Sequence, residues 1–163
     1  MNEHPLKLSA PDGHSIAGVV FAPATPVGVL VISHGMAEHG GRYTALARWL
    51  AARGLAVITF DHRGHGPTCP SRKLGHYADR NGWARVVADL QQVIQYGRSQ
   101  FPELPLNLLG HSMGSFIAQS YAQTGGESLD ALILSATNRI DRRQLVVSRA
   151  LVGFLRLIRG KHH

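Results

Sequence analysis

The chain has 163 residues, 44% hydrophobic and 17% charged, which suits one domain with a real core and excludes a disordered segment. Its net charge is +7, yet six arginines and Lys161 stand against Asp141 alone between Arg139 and His163, so the first 138 residues are nearly neutral. Charge confined to one terminal segment, with no aromatic platform beside it, argues against nucleic acid as a partner. The first residues, "MNEHPLKLSAPDGHS", lack the basic start and apolar run of a signal peptide, and no apolar run is long enough to cross a bilayer. A single cysteine, Cys69, forms no intramolecular disulfide and fits a reducing compartment, so a cytoplasmic location is expected.

Residues 6–9 and 15–22 read as two strands joined by the turn signal "PDGH". The unbroken apolar run at 27–33 predicts a strand buried on both faces. A glycine-rich loop at 34–42 follows, then a helix at 43–54 with a glycine stop. Residues 55–60 form another buried strand, ending in a long loop at 61–79. Beyond it come a helix at 81–101, a strand at 104–110, a helix at 112–125 and a strand at 129–136. Strand and helix alternate after an N-terminal hairpin, so the fold class is α/β, a mainly parallel sheet with helices on both faces. Ligands of such sheets bind beyond the carboxyl ends of the strands, where the loops 34–42, 61–79 and 110–114 gather.

The last of these loops carries "GHSMG", with Ser112 between Gly110 and Gly114. The pattern G-x-S-x-G is weak alone. A buried strand before it and a helix after it raise it, because that junction forces the serine out above the sheet. Both glycines fit a turn too tight for a Cβ. Ser112 is therefore the candidate nucleophile, against the plainer alternative of a helix N-cap. The helix start at Met113 aims N–H groups at a developing oxyanion. A second donor is expected from the loop after the third strand, where Gly35 allows an unusual backbone geometry that turns the Met36 N–H inward.

Together "HGMAEHGGRY", "DHRGHG" and "GHSMGS", in that order, resemble the α/β-hydrolase superfamily, and within it the monoacylglycerol lipase and lysophospholipase-like branch. The resemblance runs from the hairpin to the "LILSA" strand. It implies Ser112 as nucleophile and the Met36 and Met113 N–H groups as oxyanion donors. It matches His34 and Gly35 to the oxyanion-loop turn and His111 to the residue before the nucleophile. It further implies cofactor-free hydrolysis of a carboxylic ester, often of a small lipid, with thioesterase, amidase or perhydrolase chemistry and a non-catalytic binding protein as alternatives. The stretch "PTCPS" after "DHRGHG" departs from the family and receives no catalytic role.

In this fold the triad acid and histidine follow the nucleophile in sequence, beyond two further strands. They are expected beyond residue 163, so the sheet reads as incomplete at the C-terminus: residues 1–138 as the N-terminal part of the core and 139–163 as the start of a helical cap. His34 and His111 are expected to hold loops through backbone hydrogen bonds. His62 and His65 lie in a glycine loop without a completing ligand set, so no metal is expected. Asp61 precedes the nucleophile, the wrong order for the triad acid, and is expected to cap the "HRGHG" loop.

The final segment places Arg142, Arg149, Arg156 and Arg159 on one helical face and Val147, Leu151, Leu155 and Ile158 on another. Such a helix is expected to lie as a lid over the active-site mouth, or also to touch an anionic membrane surface through residues 142–159.

Overall fold

The structure, a computed structural model, describes residues 1–69, 74–139 and 141–159. Six strands form one sheet in the order β1-β2-β4-β3-β5-β6. They are β1 (Asn2–Ser9), β2 (Ser15–Ala22), β3 (Gly28–Ser33), β4 (Leu55–Phe60), β5 (Leu106–His111) and β6 (Ala131–Ser135). The helices are α1 (Thr44–Ala51), α2 (Gly82–Gln100), α3 (Met113–Gly125) and α4 (Arg142–Arg159). The expected elements are all present. The first strand is longer than expected, because its ladder with β2 runs from the pair Asn2–Ala22 to the pair Ser9–Ser15. Pro5 interrupts the hydrophobic pattern there but is tolerated, since β1 is an edge strand and needs no donor on its outer side.

β3, β4, β5 and β6 are parallel, and β2 joins β4 antiparallel. β3 is buried along its whole length, as its continuous apolar run requires. Its side chains alternate between two cores. Val29 and Val31 pack with α2 and α3 residues such as Leu90, Ile94 and Ile117, while Leu30 and Ile32 pack with Ala47 and Ala51 of α1.

The chain leaves β3 through α1 on one face to reach β4, then returns through α2 on the other face to β5, on the opposite side of β3. The strand order therefore reverses at β3, and the loops after β3 and β5 open side by side at the carboxyl end of the sheet. The pair Ser33–Gly110 ends the shared ladder at that point. This is the topological switch where α/β sheets place their ligands.

β6 lies at the sheet edge, with Ile133 and Leu134 exposed. α4 follows it through exposed residues. Val147, Leu151, Leu155 and Ile158 all face solvent. An amphipathic helix packs only where an apolar surface faces it, and the connection at 136–139 is exposed as well. The side chains of Arg156 and Arg159, and Pro70 and Ser71 of "PTCPS", lie outside the described residues.

Candidate active site

Ser112 sits where β5 turns into α3, with φ 50° and ψ −117°. A non-glycine residue rarely adopts such angles, and holding it there costs on the order of 1–3 kcal/mol. It occupies the N-cap position but makes no capping hydrogen bond, so the helix-cap alternative does not describe its hydroxyl. The turn is pinned from three sides. The Ser112 N–H donates to Ser135 O at 2.9 Å, across to β6. The N–H of Ser115 donates to Ser112 O at 2.9 Å, and the Ser115 hydroxyl donates to the same oxygen at 2.6 Å.

The two flanking glycines are required by space. A Cβ on Gly114 would lie 2.1 Å from Ser33 O, and one on Gly110 would lie 2.6 Å from Gly114 O. Both contacts are with backbone, which cannot swing aside. The end of β3, the end of β5 and the start of α3 thus touch main chain to main chain.

The loop after β3 lies against this elbow. A Cβ on Gly35 would stand 3.3 Å from the Cβ of Ser112. Close approach, and not an unusual φ, explains this glycine. The left-handed residue of the turn is Ala37, at φ 58°. Sequence reasoning placed the special backbone two residues early, because glycine is the usual signal for it.

Three side chains fix the turn. The Gly35 N–H donates to Glu38 Oε2 at 3.2 Å. Gly35 O accepts from His34 Nδ1 at 2.7 Å, while His34 Nε2 accepts from the His62 N–H at 3.0 Å. The Ala37 N–H donates to His65 Nε2 at 3.3 Å, and His65 Nδ1 donates to Arg63 O at 2.9 Å. Among the described residues, the N–H groups of Met36 and Met113 have no hydrogen-bond partner. Those are the two donors expected to form the oxyanion hole.

The other histidines differ in part from expectation. His34 holds backbone as expected. His111 instead bonds a side chain, with Nδ1 3.1 Å from Ser135 Oγ, and its Nε2 lies 3.9 Å from Glu38 Oε1. Asp61 does not cap its own loop. Its Oδ1 accepts from the Gly40 N–H at 2.7 Å and so ties the two loops together. Burial raises its pKa, partly offset by that N–H.

His34 and His62 pack ring against ring at a tilt of 51°, with centroids 4.4 Å apart, both fully buried. Burial lowers the pKa of His34 to about 4, and that of His62 well below its ordinary value. Both are neutral in the folded protein at pH 7. An unfolded chain protonates these imidazoles near pH 6.5, before the folded one does. Each therefore contributes stability that is full above pH 6.5 and is lost as pH falls toward the folded-state pKa, by about 1.4 kcal/mol for each unit separating the two values. Urea unfolding from pH 7 to pH 4 is expected to show this loss, and His34→Gln to flatten it. An equal slope in both proteins counts against the assignment.

Sequence reasoning missed the group that anchors the "DHRGHG" loop. Arg63 is buried and donates to Asp89 at 2.5 and 2.8 Å and to Asp12 at 2.7 and 2.9 Å. Burial opposes its charge, but these bonds outweigh it and raise the pKa further. Arg85 also bonds Asp12. The loop is thereby fixed to α2 and to the first hairpin.

An open cleft of about 680 Å³ lies over Ser112. Met36, Trp83, Met113 and Phe116 give it an apolar lining, with Gln119, Ser120 and Gln123 as its polar edge. Trp83 was not singled out from the sequence. Its indole N–H donates to Ser120 Oγ at 3.1 Å, which holds the ring over the helix that carries the elbow. No described α4 side chain lines the cleft. Among the described residues, no group of three or more His, Cys, Asp or Glu side chains could hold a metal ion.

Residues 24–161 match the Hydrolase_4 family, described as serine aminopeptidase, S33. A monoacylglycerol lipase of Mycolicibacterium smegmatis is 37% identical over 131 residues, 75% of this chain and 45% of that protein. The monoglyceride lipase of Homo sapiens is 40% identical over 94 residues, 58% of this chain and 29% of that one. A thermostable carboxyl esterase from Bacillus coagulans, crystallised with glycerol, superposes with a TM-score of 0.82 at 28% identity, over 98% of this chain and 56% of that one. The chain thus spans less than half the length of these lipases and about half of the esterase. A sharp serine turn at the switch point of a mainly parallel sheet and a match over most of the chain agree: the chain belongs to the Hydrolase_4 family of α/β-hydrolases, among relatives named monoglyceride lipases.

Proposed function

We propose that Ser112 is the nucleophile of a cofactor-free serine hydrolase that cleaves carboxylic esters of the monoacylglycerol or lysophospholipid type. The observation that carries this reading is the strained, uncapped Ser112 at the base of an apolar cleft, between two unpartnered backbone N–H groups. In the reaction, Ser112 Oγ attacks the ester carbonyl and gives its proton to a histidine base. The Met36 and Met113 N–H groups hold the oxyanion. The tetrahedral species collapses, the alcohol leaves with the proton from the base, and water then releases the acid from the acyl-enzyme.

The base and its acid partner are assigned to sequence outside these 163 residues. The nearby histidines of the described chain are already engaged: His34 with Gly35 and His62, His65 with Ala37 and Arg63, and His111 with Ser135.

The family's description favours a second reading, hydrolysis of an N-terminal peptide bond. An aminopeptidase needs an anionic group to hold the substrate ammonium. Among the described residues, no carboxylate lines the cleft over Ser112, and its walls suit an acyl chain. Turnover of a monoacylglycerol, a lysophospholipid, an acyl thioester and an aminoacyl anilide by the intact protein decides between these. The two lipid esters are expected to be cleaved fastest. Faster cleavage of the anilide gives the assignment to the peptidase, and Ser112-dependent preference for the thioester gives it to a thioesterase.

The same reading gives α4 a surface role. No described helix is long and apolar enough to cross a membrane, but α4 leaves its apolar side chains in solvent beside arginines. We assign residues 142–159 to peripheral contact with anionic lipid. Replacing Arg142, Arg149 and Arg156 with Gln is expected to weaken vesicle binding roughly a hundredfold, at about 1 kcal/mol per basic residue. Hydrolysis of a short soluble ester stays unchanged in the same variant. Equal binding to phosphatidylserine vesicles before and after substitution removes the role.

A further inference from the structure

The carboxylate of Glu38 is shared among four groups around the elbow. Its Oε2 accepts from the Gly35 N–H at 3.2 Å and from the Tyr43 hydroxyl at 2.9 Å. Its Oε1 faces Arg42 Nη1 at 3.4 Å and His111 Nε2 at 3.9 Å. A Cβ on Gly35 would touch the nucleophile, the residue before it and this carboxylate at once, at 3.3 Å from Ser112 Cβ, 3.3 Å from His111 Cδ2 and 3.4 Å from Glu38 Cδ. One acidic side chain, largely buried, thus bridges the loop after β3 and the end of β5.

The peptide geometry shows what that bridge does. Glu38 fixes the peptide plane between His34 and Gly35 by its N–H. His34 fixes the next plane by the Gly35 carbonyl. The Met36 N–H lies on the edge of that second plane opposite the carbonyl, because peptide groups are planar and trans. With both planes held, its direction is set before substrate arrives, which is the condition for an oxyanion donor to lower a barrier. A merely structural carboxylate could have bonded Tyr43 and Arg42 alone.

We propose that Glu38 is a positioning residue for the oxyanion turn, holding the Gly35 peptide so that the Met36 N–H meets the charge that develops above Ser112. This rests on the assignment of the Met36 N–H as an oxyanion donor. Tyr43 is the second part of the device. Its hydroxyl holds the same carboxylate oxygen that receives the Gly35 N–H, so it keeps Glu38 in the rotamer that reaches the turn. The acceptor matters here and the negative charge does not, since a full charge near an oxyanion opposes it and Arg42 already offsets part of it.

The test is steady-state ester hydrolysis and the rate of fluorophosphonate labelling in the intact protein. Glu38→Ala is expected to lower kcat by about 10- to 100-fold with KM within about twofold, the signature of an interaction felt mainly in the transition state. Glu38→Gln keeps an acceptor oxygen and is expected within about threefold of wild type. Tyr43→Phe lowers kcat by a smaller factor, and adding it to Glu38→Ala costs nothing more, because both act through one contact. Gly35→Val serves as the control for the underlying reading. If Gly35→Val keeps its kcat, the oxyanion assignment falls and this proposal with it. If Gly35→Val loses activity while Glu38→Ala does not, the oxyanion hole stands and Glu38 has no part in it. Should Glu38→Ala fail to fold, the other two variants decide. Glu38→Gln with kcat reduced as much as in Gly35→Val, or Tyr43→Phe with unchanged kcat, overturns the proposal.

Discussion

Ser112→Ala is expected to lower kcat by roughly 10⁴- to 10⁶-fold, the range seen when a nucleophile of this kind is removed. Fluorophosphonate labelling of the intact protein is expected to vanish with it. The reason is chemical: no other described group stands at the elbow with a hydroxyl free to attack, and the Ser115 hydroxyl is bound to the Ser112 carbonyl. Stability should move the other way from what a damaged fold would show. Alanine inherits the same φ of 50° and changes little, whereas Ser112→Gly relieves the strain and should stabilise the protein by about 1 kcal/mol. Activity lost and stability gained in Ser112→Gly marks strain held for function. Labelling that persists at another serine in Ser112→Ala would falsify the nucleophile assignment, while a wild type that is neither labelled nor active would leave a binding protein on the same fold.

The largest effect on stability is expected at Arg63. Arg63→Met should cost about 3–5 kcal/mol, because it leaves Asp89 buried without its cation. The loss comes from the stranded carboxylate, so Arg63→Met with Asp89→Leu should recover much of it. Urea midpoints of the two variants measure both. A loss below about 1 kcal/mol in the single variant shows the pair to be solvated like a surface ion pair. The same substitution frees the "DHRGHG" loop. Arg63 O is the acceptor for His65, whose other nitrogen holds the Ala37 N–H. Destabilisation at Arg63 therefore reaches the oxyanion turn through two hydrogen bonds, and kcat should fall even where the protein remains folded.

The parallel sheet was legible because strands buried on both faces are written as unbroken apolar runs. The runs at β3 and β4 needed no partner to be recognised. The elbow was legible because its requirement is local: three residues at fixed offsets, two of which must lack a Cβ. What binds the loops was not. Arg63 finds Asp89 26 positions on and Asp12 51 positions back, and neither pairing leaves a trace in spacing. Nothing in the stretch "HGMAEHGGRY" distinguishes Glu38 from an ordinary solvated loop residue. Its role depends on where Tyr43 and His111 come to rest, which the topology decides. What α4 packs against was not legible either, for a related reason. Periodicity shows that a helix has an apolar face, but not which surface it meets.

The bond from the Ser112 N–H to Ser135 O makes the nucleophile depend on a strand that is synthesised after it. A nascent chain that has emerged only as far as α3 has both glycines and the serine, yet nothing on the β6 side to keep the turn wound. The elbow can relax out of its left-handed geometry until β6 docks beside β5. Where folding keeps pace with emergence from the ribosome, the turn is expected to tighten only after β6 has paired with β5.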